Sequence, residues 1–273
     1  MKLILIQGGG DLASGIAYRL FQCGFHIAIT EIQAPLAVRR KVSFAQAIYD
    51  GRVTIEGVVG QRIEDYHSIG EIERTISNGC IPVIIDSDRK AIDLLEPIVL
   101  IDARMSKRHR DTFPNPRLVI GLGPGFIAGE NCHVAIETKR GHMLGRVIRS
   151  GSPEQDTGIP DRVLQYQDER VLRAPVDGML VLFSDIGEHL EPNQLVAEIG
   201  GEPILAPFSG VLRGIVHPKV AIRKRMKIGD IDPRNNPIYC HLISDKALAI
   251  GGGVLEAILS HTDIRTDLLV YSS

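Results

Sequence analysis

Tryptophan is absent from the 273 residues, and aromatic residues of all kinds make up 5%. Successive aromatic platforms are what a single-stranded nucleic-acid surface needs, so that class is disfavoured. Cysteine is sparse. Cys23, Cys80, Cys132 and Cys240 are widely spaced and form no CxxC pair, which argues against a disulfide framework or zinc ribbon and for a reducing compartment. No apolar run approaches transmembrane length, and the N-terminus lacks a basic stretch followed by a cleavage site. A net charge of -2 leaves no large basic surface for nucleic acid. The expectation is a cytoplasmic protein with neither a membrane nor a nucleic-acid partner. What is present is ordinary for a globular protein: 44% hydrophobic and 23% charged residues, in a chain long enough for two domains.

The first hundred residues alternate short apolar runs with helical patterns. Residues 3–7 and 26–30 read as strands, and residues 12–23 as a helix with apolar positions at Leu12, Ile16, Leu20 and Cys23, ended by Gly24. Ser43-Phe44-Ala45-Gln46 and Ser68-Ile69-Gly70-Glu71 have capping-box spacing. Residues 53–59, 81–85 and 98–101 are strand-like. Such alternation predicts βαβ units around a mostly parallel, Rossmann-like sheet. Beyond Leu118 glycines punctuate a loop, residues 134–139 and 143–148 read as strands, and residues 150–160 as a surface connection.

Two stretches then repeat at an offset of 32 residues without a gap, one opening "APVDGMLVLF" at Ala174 and the other "APFSGVLRGI" at Ala206. Each reads as short strands joined by Gly and Pro turns, and one copy cannot bury its apolar face alone. The pair resembles the biotinyl/lipoyl barrel-sandwich domain, in which A-P-x-x-G opens each half. The joining hairpin, Gly200-Gly201-Glu202-Pro203, has no lysine, so no biotin or lipoate attachment is expected. Residues 244–259 read as a helix despite Gly251-Gly252-Gly253. The expected division is an α/β domain over 1–165, a barrel-sandwich domain with a two-fold internal repeat over 166–240, and a helical segment over 241–273 packing back on the first.

Three stretches could carry chemistry. Gly8-Gly9-Gly10-Asp11-Leu12-Ala13 is a G-x-G-x-x-A between a predicted strand and helix, and Glu31 follows Gly10 by 21 residues. That spacing suits a dinucleotide fingerprint, with Gly8 for the tight turn, Gly10 for close phosphate approach, Ala13 or Gly15 for helix packing and Glu31 for a ribose hydroxyl. Asp11 sets a carboxylate beside the supposed phosphate, and a turn using glycine for geometry alone is the competing reading. Asp86, Asp102 and Arg104 follow other predicted strands at the same rim, and Val38–Lys41, "VRRK", could hold an anion or form a solvated turn. Gly121–His142 is the densest polar and glycine stretch: Gly123 and Gly125 suggest an anion nest, and Asn131 joins the candidate ligand set. Cys132, His133 and His142 are candidate metal ligands that match no established spacing, while His133 or His142 is the candidate proton donor.

Together "GGGDLASGIAYRL", "VRRKVSFAQAIYDG", "DARMSK", "GLGPGFIAGENCHVAIETKRGHMLGRVI", "DTGIP" and "GGGVLEAIL" resemble the YqeB-type family of the selenium-dependent molybdenum hydroxylase system. The resemblance implies an accessory or maturation role for xanthine-dehydrogenase-like molybdenum enzymes and names no catalytic residue. The expected function is therefore such an accessory protein binding NAD(P) or another nucleotide. The alternatives are a scaffold or cofactor chaperone docking a hydroxylase subunit, and an NAD-dependent oxidoreductase of a small metabolite. Self-association into a homo-oligomer stays open.

Overall fold

The computed structural model describes residues 2–105, 115–155, 158, 160 and 162–269. The chain forms two compact units: unit 1 comprises Met1–Gln33, Ser43–Asp156 and Ile243–Ser273, and unit 2 comprises Ala34–Val42 and Thr157–Leu242. It is a mixed α/β protein with one large, mostly parallel sheet and two separate antiparallel sheets.

Unit 1 contains β1 (Ile4–Gln7), α1 (Asp11–Gln22), β2 (Ile27–Glu31), α2 (Ala47–Asp50), β3 (Arg52–Ile55), β4 (Val58–Ile63), α3 (Ile69–Ser77), β5 (Cys80–Ile85), α4 (Ala91–Leu95), β6 (Val99–Asp102), β7 (Leu118–Leu122), β8 (Val134–Ile136), β9 (Val147–Ile148), α5 (Asp245–Leu259) and α6 (Thr262–Leu269). The strands lie in the order β3-β4-β5-β2-β1-β6-β7-β8-β9. From β4 to β8 every neighbour is parallel, and only the edge strands β3 and β9 run against their partners. The run Ile-Leu-Ile-Gln of β1 and Leu-Val-Ile-Gly-Leu of β7 are buried throughout, as strands covered on both faces must be. On one face Leu5, Ala28, Leu100 and Val119 pack with Ile72 of α3 and Ile92 of α4.

On the other face α5 lies close to α1, and small residues make this feasible. A Cβ on Gly15 would stand 2.6 Å from Ala247 Cβ, one on Gly251 2.9 Å from Gly15 O, and one on Gly253 2.0 Å from Gly145 O. The glycine triplet therefore serves close packing rather than ending the helix, and Ser244 caps it by accepting from the Ala247 N–H. The same contact explains why the buried stripe of α1 is Ala13, Ser14, Gly15, Ile16, Ala17 and Leu20, while Cys23 is exposed.

Several local expectations are corrected. Residues 53–59 form a hairpin of β3 and β4, because Glu56 and Gly57 take φ of 45° and 84°, the pair of left-handed residues that a tight hairpin turn uses. Ser43 and Ser68 make no side-chain cap. The strand expected over 143–148 shrinks to β9, since Gly141 and Gly145 turn the chain at φ of 134° and 76°.

Unit 2 contains β10 (Val171–Arg173), β11 (Gly178–Leu182), β12 (His189–Leu190), β13 (Leu195–Ile199), β14 (Glu202–Leu205), β15 (Gly210–Ile215), β16 (Ala221–Ile222) and β17 (Lys227–Asp232). They form sheets β10-β17-β15-β12 and β14-β13-β11-β16, which do not close into a barrel. Strands starting at 178, 189 and 195 are matched by strands starting at 210, 221 and 227. β11 pairs with β13 and β16, while β15 pairs with β17 and β12. The segment Ala34–Val42, placed in the first domain by the sequence reading, belongs to unit 2. Arg39 donates to the carbonyls of Tyr239 and Leu242 at 3.0 Å, and Arg40 to that of Ile215 at 2.7 Å. These bonds give the "VRRK" stretch a structural task.

Gly252 faces open space while Gly253 does not. Gly252→Ala should raise stability by about 0.5–1 kcal/mol through helix propensity. Gly253→Ala should lower it by about 2 kcal/mol or more through overpacking, several degrees in melting temperature. Thermal denaturation of the two variants with equal signs would refute the close-packing account.

Candidate functional site

Parallel pairing brings the carboxyl ends of β4 to β8 to one edge of unit 1. The chain leaves β1 for β2 on one side, and β6 takes the other. That reversal is where an open α/β sheet presents a ligand crevice.

The glycine turn sits here. Gly8 has φ of 89° and continues the ladder by donating to Thr30 O at 2.8 Å; a Cβ on it would lie 3.2 Å from Arg104 Cα. Gly9 is walled in, since a Cβ would stand 2.8 Å from Ala45 N, whose N–H donates to Gly9 O at 2.8 Å. Gly10 differs: among the described residues nothing lies within 4 Å of its Cβ position. It is the N-cap of α1 and supplies no side-chain cap, so no side chain of its own satisfies the first-turn amides. Asp11 is half-buried in that first turn and Ala13 is fully buried. Ser14, which the sequence reading passed over, ties the turn together: its hydroxyl donates to Gly10 O at 2.9 Å and accepts from Phe44 N at 2.8 Å.

Glu31 ends β2 beside this turn, as the spacing predicts. Its Oε1 accepts from Gly9 N at 2.7 Å and its Oε2 from Ile32 N at 2.9 Å. Burial nevertheless holds its carboxyl above the ordinary value of 4.5, outweighing the two N–H bonds. Across the reversal, Arg104 grips the buried Asp102 with two bonds, Nε to Oδ1 at 2.9 Å and Nη2 to Oδ2 at 2.5 Å. Its third nitrogen, Nη1, is buried and has no hydrogen-bond partner among the described residues. Asp86, at the same rim, is a helix cap: it accepts from Lys90 N at 2.8 Å and Ala91 N at 3.3 Å.

The Gly121–His142 stretch divides. Its opening glycines reach the same edge: Gly123 donates to Ile136 O at 2.9 Å, and a Cβ on Gly123 would lie 3.2 Å from Met105 Cε. Arg104 and Met105 thus stand between Gly8 and Gly123. The rest crosses to the opposite edge, because β7 and β8 are parallel and their connection must travel the sheet's length. Gly125 has φ of 100°, and its carbonyl accepts from Asn131 Nδ2 at 3.1 Å, while Asn131 Oδ1 accepts from Ile127 N. Asn131 braces this crossover and is not at the glycine turn. Cys132 and His133 precede β8 and lie at its amino end, about 10 Å from the carboxyl edge at strand rise. His142 lies beyond its carboxyl end and is exposed. The three do not meet, and no cluster of three metal-binding side chains occurs among the described residues. Burial pushes the Cys132 thiol up to about 11. Burial and the nearby His261 lower the His133 pKa, and its Nδ1 accepts from Val119 N at 2.9 Å. His133 is therefore not a proton donor at the glycine turn. A buried carboxylate that the sequence reading left without a role, Glu137, accepts from Lys139 N and Glu154 N at 2.7 Å each and pins the chain after β8.

The class this edge defines is an α/β protein whose strand reversal is lined by a glycine-rich strand-to-helix turn, an acid and an arginine. The chain is similar to "Uncharacterized protein YqeB" of Escherichia coli strain K12, at 40% identity over 259 residues, or 94% of this chain and 47% of that protein. This homology supports the YqeB-type resemblance. The chain spans about half the length of the curated relative it matches. No protein-family model matches it.

The raised pKa of Glu31 makes a signed prediction. The folded state holds its proton more tightly than the unfolded state, so stability falls as pH rises from 4.5 through the folded value and stays reduced above it. Glu31→Gln keeps an acceptor for Gly9 without the titration. The melting-temperature difference, wild type minus Glu31→Gln, should decline with pH over that window; parallel curves would refute the assignment. Among the thiols, exposed Cys23 should react with Ellman's reagent at pH 8, whereas buried Cys132 should react only on unfolding. Fast labelling of Cys132 in the folded protein, located by peptide mapping, would contradict its raised pKa.

Proposed function

We propose that unit 1 is a Rossmann-like domain that binds a nucleotide, NAD(P) or a nucleotide-containing cofactor, with its phosphates above Gly10. The observation that carries this reading is Arg104. It stands at the strand reversal with a buried Nη1 that has no acceptor among the described residues, beside a 12-residue helix whose N-cap supplies no side chain. A phosphate oxygen would satisfy both. A hydrogen bond to a charged group contributes about 1.5–3 kcal/mol, and a helix N-terminus adds about 0.3–1 kcal/mol. Glu31 would take the ribose hydroxyls. Gly123 contributes no more than backbone to this site, and Gly125 belongs to the crossover braced by Asn131.

Unit 2, on this reading, is a duplicated barrel-sandwich relative of biotinyl/lipoyl domains that carries no attached group. With the resemblance to the YqeB-type family, the protein is proposed as a cytoplasmic accessory or maturation factor for selenium-dependent molybdenum hydroxylases, holding a nucleotide cofactor and presenting it to a hydroxylase subunit. A hydride-transfer enzyme is less well supported, because of the two candidate proton donors His133 lies at the opposite sheet edge and His142 is exposed to solvent.

The test is ligand binding by calorimetry and thermal shift with NAD, NADP, ATP and a molybdopterin nucleotide. At a hundredfold excess over Kd a true ligand stabilises by about 2.7 kcal/mol. Gly10→Val, whose side chain meets none of the described residues, should abolish binding with little change in melting temperature of the free protein. Arg104→Gln should weaken it roughly tenfold or more. No shift with any of the four, or undiminished binding by Gly10→Val, would overturn the reading.

A further inference from the structure

The β14-β13-β11-β16 sheet has an apolar face that the chain leaves open. Met179, Val181 and Phe183, alternate positions along and just past β11, are 53%, 54% and 54% exposed, and Leu205 on β14 is 44% exposed. The register shows which residues share their face. Met179 is opposite Ala221 of β16, Val181 opposite Glu198 of β13, and Glu198 opposite Pro203 of β14. Ala221 and Pro203 are exposed as well. An outer antiparallel face is ordinarily polar, and a contiguous apolar one marks an interface.

The other sheet of unit 2 shows what such a face looks like when covered. Thirty-two residues on from Met179 stands Val211, fully buried, while the bulge at Arg213 turns Ile215, the counterpart of Phe183, to the opposite face. Arg213, the counterpart of Val181, is 14% exposed and pairs with Asp230 and Asp232 at 3.8 Å, with Arg39 of the Ala34–Val42 segment beside it. The chain covers that face with its own segment and leaves the β11 face bare.

Charge around the bare face is arranged asymmetrically. Glu198 lies on the β13 side. On the β16 side Lys219 and Arg223 flank Ala221 by two residues each and are exposed. None of the three has an ion-pair partner among the described residues. The face is thus apolar along Met179, Val181 and Phe183, with Glu198 to one side, Lys219 and Arg223 to the other, and exposed Asp177 level with Arg223.

We propose that a second copy of this chain docks here, in a two-fold dimer whose axis runs parallel to β11. Rotation about that axis lays each copy's β16 edge over the partner's β13. Lys219, level with Val181 in the register, then faces the partner's Glu198, and the two Met179-Val181-Phe183 strips pack against each other. An axis perpendicular to the strands would set like charges together, so charge selects the first arrangement. Face-to-face aligned sheets are an ordinary packing mode, and a self-complementary patch is what a closed two-fold dimer requires.

Sedimentation velocity of the full chain from 1 to 100 µM tests this. The wild type should be a dimer, and Val181→Glu, at an exposed site, should shift it to monomer, a loss of affinity of a hundredfold or more with the melting temperature of the monomer retained. Glu198→Lys alone and Lys219→Glu/Arg223→Glu alone should each weaken self-association. Their equimolar mixture should recover it as a heterodimer, since every cross-pair is then opposite in sign. A monomeric wild type at 100 µM, a dimer indifferent to Val181→Glu, or a mixture with no recovery would overturn the proposal. So would a monomer that binds phosphatidylserine vesicles through this face, which would assign it to a membrane surface.

Discussion

Parallel pairing of the strands from β4 to β8 is the constraint on which unit 1 depends. Once neighbouring strands run the same way, every connection must return along the sheet, and helices or long loops come to lie on its faces. The strands are then buried on both sides and can be built from unbroken Ile, Leu and Val. All their carboxyl ends fall on one edge, so Gly8, Glu31, Asp86, Asp102 and Gly123 come to a single rim although they span more than a hundred residues. The same constraint carries Asn131, Cys132 and His133 to the far edge.

The edge so created is electrostatically strained in a specific way. Glu31 is held on the glycine turn by two backbone N–H groups, yet burial raises its pKa. Arg104 satisfies two of its three nitrogens on Asp102 and leaves the third buried without an acceptor among the described residues. Buried polar groups without partners are expensive, and those in a fold's crevice are where a ligand gains most. The helix α1 above them is fixed by its contact with α5, so the glycines at 15, 251 and 253 act on the site from a distance by setting where that helix starts and how it lies.

Unit 2 handles buried charge differently. Arg170 pairs with Asp230 and Arg234 with Asp232, while Arg213 lies between the two carboxylates at longer range. Desolvation lowers the pKa of Arg213, and the neighbouring Arg39 adds to that. Two sheets of matching strand spacing therefore differ in their outer faces, one closed over a charged network and one left apolar.

The regular elements of unit 1 were legible in the residues: the runs at 3–7, 26–30, 81–85 and 98–101 are strands because β-branched and aliphatic residues in short uninterrupted runs can only be buried, and Gly24, Gly51 and Gly79 end helices by taking positive φ. The glycine turn, the acid 21 residues later and the offset of 32 residues in the second unit were also legible, since each is a spacing along the chain. Which glycine serves which purpose was not. Gly9 is crowded by Ala45, Gly10 is open, and Gly251 and Gly253 meet backbone from 15 and 145; these are distances between residues far apart in sequence. Nor did the residues around Gly121–His142 reveal that their connection crosses the sheet, because strand direction is a property of the pairing and not of either strand. Local pattern determined what each segment is. Only the tertiary structure decided which ends meet, and therefore that Arg104, rather than a histidine or cysteine, faces the glycine turn.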